Sequence, residues 1–180
     1  MHRHIFLDYD FDKIIKADYN DTAISCIDYQ KIELTDVHEK NGGFPDSYVF
    51  ENTKIYQYWW SPDDLDFDEF GRQLGMEVIT VSSILQRPGC VIPCHRDTFF
   101  KIKKEFPERA NEVIVRANIY LQDWKLGHLL QYEESPDEWK CDINWKQGEG
   151  HMWDEPVLHI GANAGFEDKY TLQISGFLLD

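Results

Sequence analysis

The stretch VIVRANIYLQ, residues 113–122, alternates without a break. Val113, Val115, Ala117, Ile119 and Leu121 share one face; Arg116, Asn118 and Tyr120 share the other. A period of two predicts a β-strand with one face in an apolar core. The polar face is unusual in carrying a guanidinium and a carboxamide in mid-strand. Both are well suited to fixing a ligand, so this face is either solvated or lines a ligand-bearing lumen.

Outward from this strand the same pattern recurs. In KYTLQISGFLL, 169–179, Lys169, Thr171, Gln173 and Ser175 fall on one face, and Tyr170, Leu172, Ile174 and Phe177 mostly serve the other. Upstream, MEVITVSSILQ, 76–86, places Ile79, Val81 and Leu85 together. GHLLQYEE, DINW, GHMWDE and VLHIGA read as further short strands, separated by glycines, Pro136 and Pro156. Many short strands with turn signals predict an antiparallel β-sandwich or barrel.

The rest is less regular. SPDDLDFDEFGRQLG, 61–75, predicts a helix capped by Ser61, with Pro62 in its first turn, Phe67, Phe70 and Leu74 on one stripe and Gly75 at its end. TFFKIKKEF, 98–106, predicts a short helix stopped before Pro107. KNGGFPDS, 40–47, predicts a turn. A chain of 180 residues with no internal repeat or linker predicts a single domain, 1–180. Residues 1–75 would form an N-terminal extension on a core spanning 76–180.

Composition excludes some functions. The formal net charge of −15 disfavours general nucleic-acid binding. No apolar run is long enough for a membrane span, and the start lacks the pattern of a signal peptide. Cys26, Cys90, Cys94 and Cys141 form no CxxC pair, which argues against zinc and for reduced thiols in a cytoplasmic protein.

PCHRDT, 93–98, sets His95 and Asp97 two residues apart. Of the remaining histidines, His2, His4 and His38 lie in the irregular N-terminal part. His128 and His151 each follow a glycine at a strand start, a common exposed position. His159, between apolar residues in EPVLHIGANAG at the end of a short strand, is the natural third ligand. Two imidazoles and a carboxylate leave half of an octahedral metal open, which suits non-haem iron(II).

These residues resemble the iron(II)- and 2-oxoglutarate-dependent oxygenases of the double-stranded β-helix, or jelly-roll, fold. IPCHRDTF, VRANIYLQDWKLGHLLQYEE, WKQGEGHMWDEPVLHIGANAG and KYTLQISG carry the likeness, in the family's order, over roughly 76–178. It is nearest to small phage-type members related to aspartyl/asparaginyl β-hydroxylases. The resemblance implies a mainly β jelly roll with a few flanking helices, and iron(II) held by His95, Asp97 and His159. It further implies that Lys169 pairs with the distal carboxylate of 2-oxoglutarate, that Arg116 and Asn118 lie near that cosubstrate, and that Thr171 or Ser175 adds a hydroxyl contact. Asn118 stands where those relatives carry a histidine. The implied activity is hydroxylation of a small molecule or a peptide side chain with dioxygen. Residues 1–75, loop 87–94 and segment 98–111 would select the substrate. The alternatives are a cupin-type metal enzyme, which usually clusters more histidines, and a jelly-roll binding module without catalysis.

Overall fold

A computed structural model describes residues 1–27 and 49–179. The turn at 40–47 and His38 lie outside them. The described strands are β1 (His2–Phe6), β2 (Ala23–Ser25), β3 (Lys54–Trp60), β4 (Met76–Gln86), β5 (Val91–His95), β6 (Ile114–Tyr120), β7 (His128–Ser135), β8 (Glu138–Asp142), β9 (Glu149–Trp153), β10 (His159–Asn163) and β11 (Lys169–Leu178). They form two antiparallel sheets. The major sheet runs β1-β9-β6-β11-β4-β3-β2 and the minor sheet β5-β10-β7-β8. This is the predicted jelly-roll class.

The centre of the major sheet is β6-β11-β4, and its alternation places the core. Val115, Ala117, Ile119, Leu172, Ile174 and Val81 are buried together on the outer face. Helix α1 (Asp12–Ile15) contributes Ile14 to that layer, and helix α2 (Phe67–Leu74) contributes Phe70 and Leu74. Burying such side chains contributes about 1.5–3 kcal/mol each, so this layer dominates the stability of the major sheet. The opposite face of β6, β11 and β4 looks toward the minor sheet and lines a cavity.

Several details depart from the sequence reading. Helix α2 begins at Phe67, not near Ser61: Asp66 accepts the N–H of Glu69 at 2.9 Å, so Asp66 is the N-cap. Ser61 instead opens a preceding turn, where its hydroxyl donates to Asp64. Gly75 closes the helix at φ 66°, as expected. The segment DINW is not a strand: pairing ends at Asp142, and Asn144 takes φ 62°. Pro136 and Asp137 lie in the turn between β7 and β8, with Asp137 at φ 66°. Residues 98–106 form helix α3 (Phe100–Glu105), ended before Pro107 as predicted.

Ile79 does not share the face of Val81. The β4–β11 register jumps from Ser175↔Thr80 to Gly176↔Val78, so Ile79 is the extra residue of a bulge. Val78 therefore packs with the outer core. Ile79 joins a separate cluster of Phe99, Ile102, Ile114 and Phe177, of which Phe99 and Ile102 line the cavity. Phe177 faces away from Ile174 by plain alternation along β11, on the side of Lys169 and Ser175, rather than with the outer core. Gly176 permits the close approach: a Cβ there would lie 1.8 Å from the carbonyl oxygen of Glu77. Gly176→Ala should destabilise the protein by about 1–3 kcal/mol or more, read as a lower urea midpoint with unchanged m-value.

The N-terminal residues are woven into the major sheet. β1 pairs with β9 from His2↔Trp153 to Phe6↔Glu149, and β3 pairs with β4. No described helix is long and apolar enough to cross a membrane.

Candidate metal and cosubstrate site

His95 ends β5 and His159 begins β10, not its end, and the two are register partners across the minor sheet. Their ring centroids lie 4.2 Å apart. Asp97 follows β5 by two residues. One metal-ligating atom from each of the three residues can be chosen so that all lie within 4.8 Å of one another. His95, Asp97 and His159 are 9%, 4% and 5% exposed, so the cluster is almost dry.

The hydrogen bonds suit this cluster to a cation. His95 Nδ1 lies 2.8 Å from the Pro93 carbonyl, and His159 Nδ1 lies 3.2 Å from that of Val157. A carbonyl can only accept, so each Nδ1 carries its proton and each Nε2 presents a lone pair. Burial lowers both imidazole pKa values, and for His159 the neighbouring His95 adds to the effect. Both rings are therefore neutral and able to ligate at pH 7. Burial alone would raise Asp97. The Arg116 guanidinium and the Trp153 N–H outweigh it and hold the carboxyl below its usual range. Trp153 Nε1 donates to Asp97 Oδ2 at 2.9 Å, and that oxygen lies 3.8 Å from His159 Nε2. Two neutral imidazoles and an ionised carboxylate converging on one point fit iron(II).

Lys169 opens β11 and is 3% exposed. Its ammonium donates to the carbonyls of Leu129 at 2.7 Å and Ala162 at 3.3 Å. Among the described residues it has no carboxylate partner, and burial lowers its pKa to about 7. The cavity that reaches Lys169 also reaches the triad, so a single chamber joins them. Thr171 lines it as well.

Arg116 and Ser175 also line the chamber but are engaged with each other and with the triad. Arg116 Nε donates to Ser175 Oγ at 3.0 Å, and its Nη1 pairs with Asp97 Oδ1. Asn118 Oδ1 accepts from Gln173 Nε2 at 3.1 Å, while Asn118 Nδ2 is buried without a partner. Trp153 is a direct partner of Asp97. Its register pairing with Arg116 on β6 turns it to the chamber side of the sheet.

His128 and His151 lie apart from the triad, but they are not exposed as expected: both are 0% exposed. His128 bonds to the Glu167 carbonyl. His151 bonds to Asp142 at 2.7 Å and to His2 at 2.9 Å, a buried contact made possible by β1. Since His151 has both nitrogens occupied, His151→Gln should change iron affinity by less than a few-fold, measured by anaerobic titration.

No family model matches the sequence, and no curated protein matches it. Solved structures do share its fold. A prolyl-4-hydroxylase from Pseudomonas putida aligns over 94% of this chain and 96% of its own at 15% identity, TM-score 0.54. SnoK, a non-heme alpha ketoglutarate-dependent carbocyclase of nogalamycin biosynthesis, aligns over 98% and 79% at 12% identity, TM-score 0.55. At these identities the likeness is one of fold alone.

Proposed function

We propose that the protein is an iron(II)- and 2-oxoglutarate-dependent oxygenase that hydroxylates a small molecule or a peptide side chain. The observation that carries this reading is the pairing of features in one chamber. A dry His95–Asp97–His159 cluster shares it with Lys169, a buried lysine that no carboxylate of the described residues neutralises. A binding module needs neither, and a simple metal hydrolase does not need the second.

His95 Nε2, His159 Nε2 and an Asp97 oxygen would hold iron(II). Bound there with 2-oxoglutarate, the metal supplies dioxygen activation and the oxidising power for C–H cleavage. The protein's own residues do the remaining work. The Pro93 and Val157 carbonyls lock the imidazole tautomers. Trp153 orients the Asp97 carboxylate through its indole N–H. Lys169 anchors the far carboxylate of 2-oxoglutarate by a charge-assisted hydrogen bond and so directs its keto-acid end toward the triad. Leu130 and the rings of Tyr120 and Phe99 line the chamber and limit water.

This role makes cosubstrate affinity depend on pH. With a pKa of about 7 in the empty chamber, Lys169 is charged below pH 7 and neutral well above it. Carboxylate binding needs the charged form, so a proton must be taken up when binding occurs at higher pH. The apparent affinity for 2-oxoglutarate should fall by roughly tenfold per unit from pH 7.5 to 8.5. Lys169→Arg, whose guanidinium stays charged, should flatten that slope. Anaerobic titration of the iron(II)-loaded protein measures both. A wild-type affinity independent of pH over this range would mean that Lys169 stays charged in the empty chamber.

A further inference from the structure

The cavity floor is a lattice of polar side chains whose rows follow from the strand register. One row crosses β6, β11 and β4 as Arg116, Ser175 and Thr80. The next crosses the same strands as Asn118, Gln173 and Ser82, and Gln57 of β3 donates to Ser82 Oγ at 3.1 Å. All seven side chains line the chamber. Lys169, paired in register with Gln86, lies at the far end of β11 from Arg116 and Ser175. The far carboxylate of a cosubstrate held by Lys169 therefore lies at the opposite end of the chamber floor from Arg116.

Two groups in these rows are incompletely used. Arg116 has five N–H donors, and its bonds to Ser175 and Asp97 use two of them. Its side chain is 24% exposed, enough to meet a ligand from the chamber. Asn118 is 5% exposed, and its Nδ2 has no acceptor. A buried donor left unpaired is destabilising, and an incoming oxygen would relieve it. Asp97, already committed to the triad, is the one carboxylate among the described lining residues. A cationic substrate finds no other counter-ion there.

We propose, building on the oxygenase reading, that the prime substrate is a small polar carboxylate: its carboxylate pairs with Arg116, and a second carbonyl or hydroxyl oxygen takes the Nδ2–H of Asn118. Gln57 and Gln173 supply further hydrogen bonds at the same floor. A substrate that is only hydrocarbon would leave these groups unpaired, and one that is cationic would be repelled by Arg116.

The test uses the full chain with iron(II) and 2-oxoglutarate. The probes are a panel of N-acetyl amino acids and small hydroxy acids, each beside its neutral primary amide. Two signals are read: the visible charge-transfer band formed anaerobically by iron(II) and 2-oxoglutarate, and succinate released in air. At least one acid should raise succinate at least tenfold above the probe-free background, with its amide at least tenfold less effective. Asn118→Asp keeps the acceptor for Gln173 but turns the unpaired donor into an anion. It should keep the band and lose the stimulation, and Gln57→Leu should keep the band and weaken stimulation several-fold. If the wild-type band forms but no acid stimulates, or amides serve as well as acids, the substrate class is wrong. Loss of the band in Asn118→Asp would assign Asn118 to the cosubstrate and overturn the proposal. Absence of the band in the wild type would instead sink the oxygenase reading, and this inference with it.

Discussion

His95→Ala, Asp97→Ala and His159→Ala should each abolish iron-dependent succinate formation, a loss of several orders of magnitude. An open three-ligand site has no spare donor, so removing one lets the metal dissociate or bind without order. The three differ in what they do to the fold. His95 and His159 make side-chain bonds only to nearby backbone carbonyls, so their alanine variants should unfold near the wild-type midpoint. Asp97 is the joint partner of Arg116 and Trp153. Its removal leaves a buried indole N–H and a partly buried guanidinium unpaired and should cost about 1–3 kcal/mol in metal-free urea unfolding. Near-normal succinate release from any two of the variants at saturating iron would show the triad to be misassigned.

Lys169→Met should raise the 2-oxoglutarate requirement by roughly thirty-fold to several thousand-fold. That range corresponds to about 2–5 kcal/mol for breaking a buried charge pair. The substitution keeps the volume and the apolar stem, so the chamber walls stay in place. Iron binding without cosubstrate should remain nearly normal, because Lys169 makes no hydrogen bond to the triad. The unpaired ammonium is costly in the empty protein, a cost expressed in its lowered pKa. Lys169→Met removes that cost while leaving the Leu129 and Ala162 carbonyls without their donor. An unchanged 2-oxoglutarate curve for the methionine variant would pass the anchoring role to Arg116.

What can be read in the sequence is whatever depends on local period. The two faces of 113–122 and 169–175 are legible because a strand buried on one side alternates strictly, and the polar face proves to be the lumen. His95, Asp97 and His159 are legible because an H-x-D pair and a distant histidine set among apolar residues supply the donors that a three-ligand iron site requires. What fails depends on register between distant strands. Ile79 changes face because a bulge opposite Gly176 adds one residue to β4, which the pattern of that strand alone does not reveal. Asp66 outcompetes Ser61 as a cap because the chain turns once before the helix begins. His151 is buried because β1 closes over it, a pairing between the two ends of the chain. The pairing of Arg116 with Asp97 joins β6 to the segment after β5, a contact that neither local pattern reveals.

The most direct measurement is anaerobic addition of 2-oxoglutarate to the wild-type protein loaded with iron(II), followed in the visible region. On the proposed function, a metal held by His95, Asp97 and His159 would have open positions for a chelating keto acid, and Lys169 would meet its distal carboxylate. A charge-transfer band should therefore appear, saturate at one equivalent of iron per chain, and vanish in His159→Ala. No band in the wild type, or a band of equal strength in His159→Ala, would contradict the assignment of this chamber as an iron(II) and 2-oxoglutarate site.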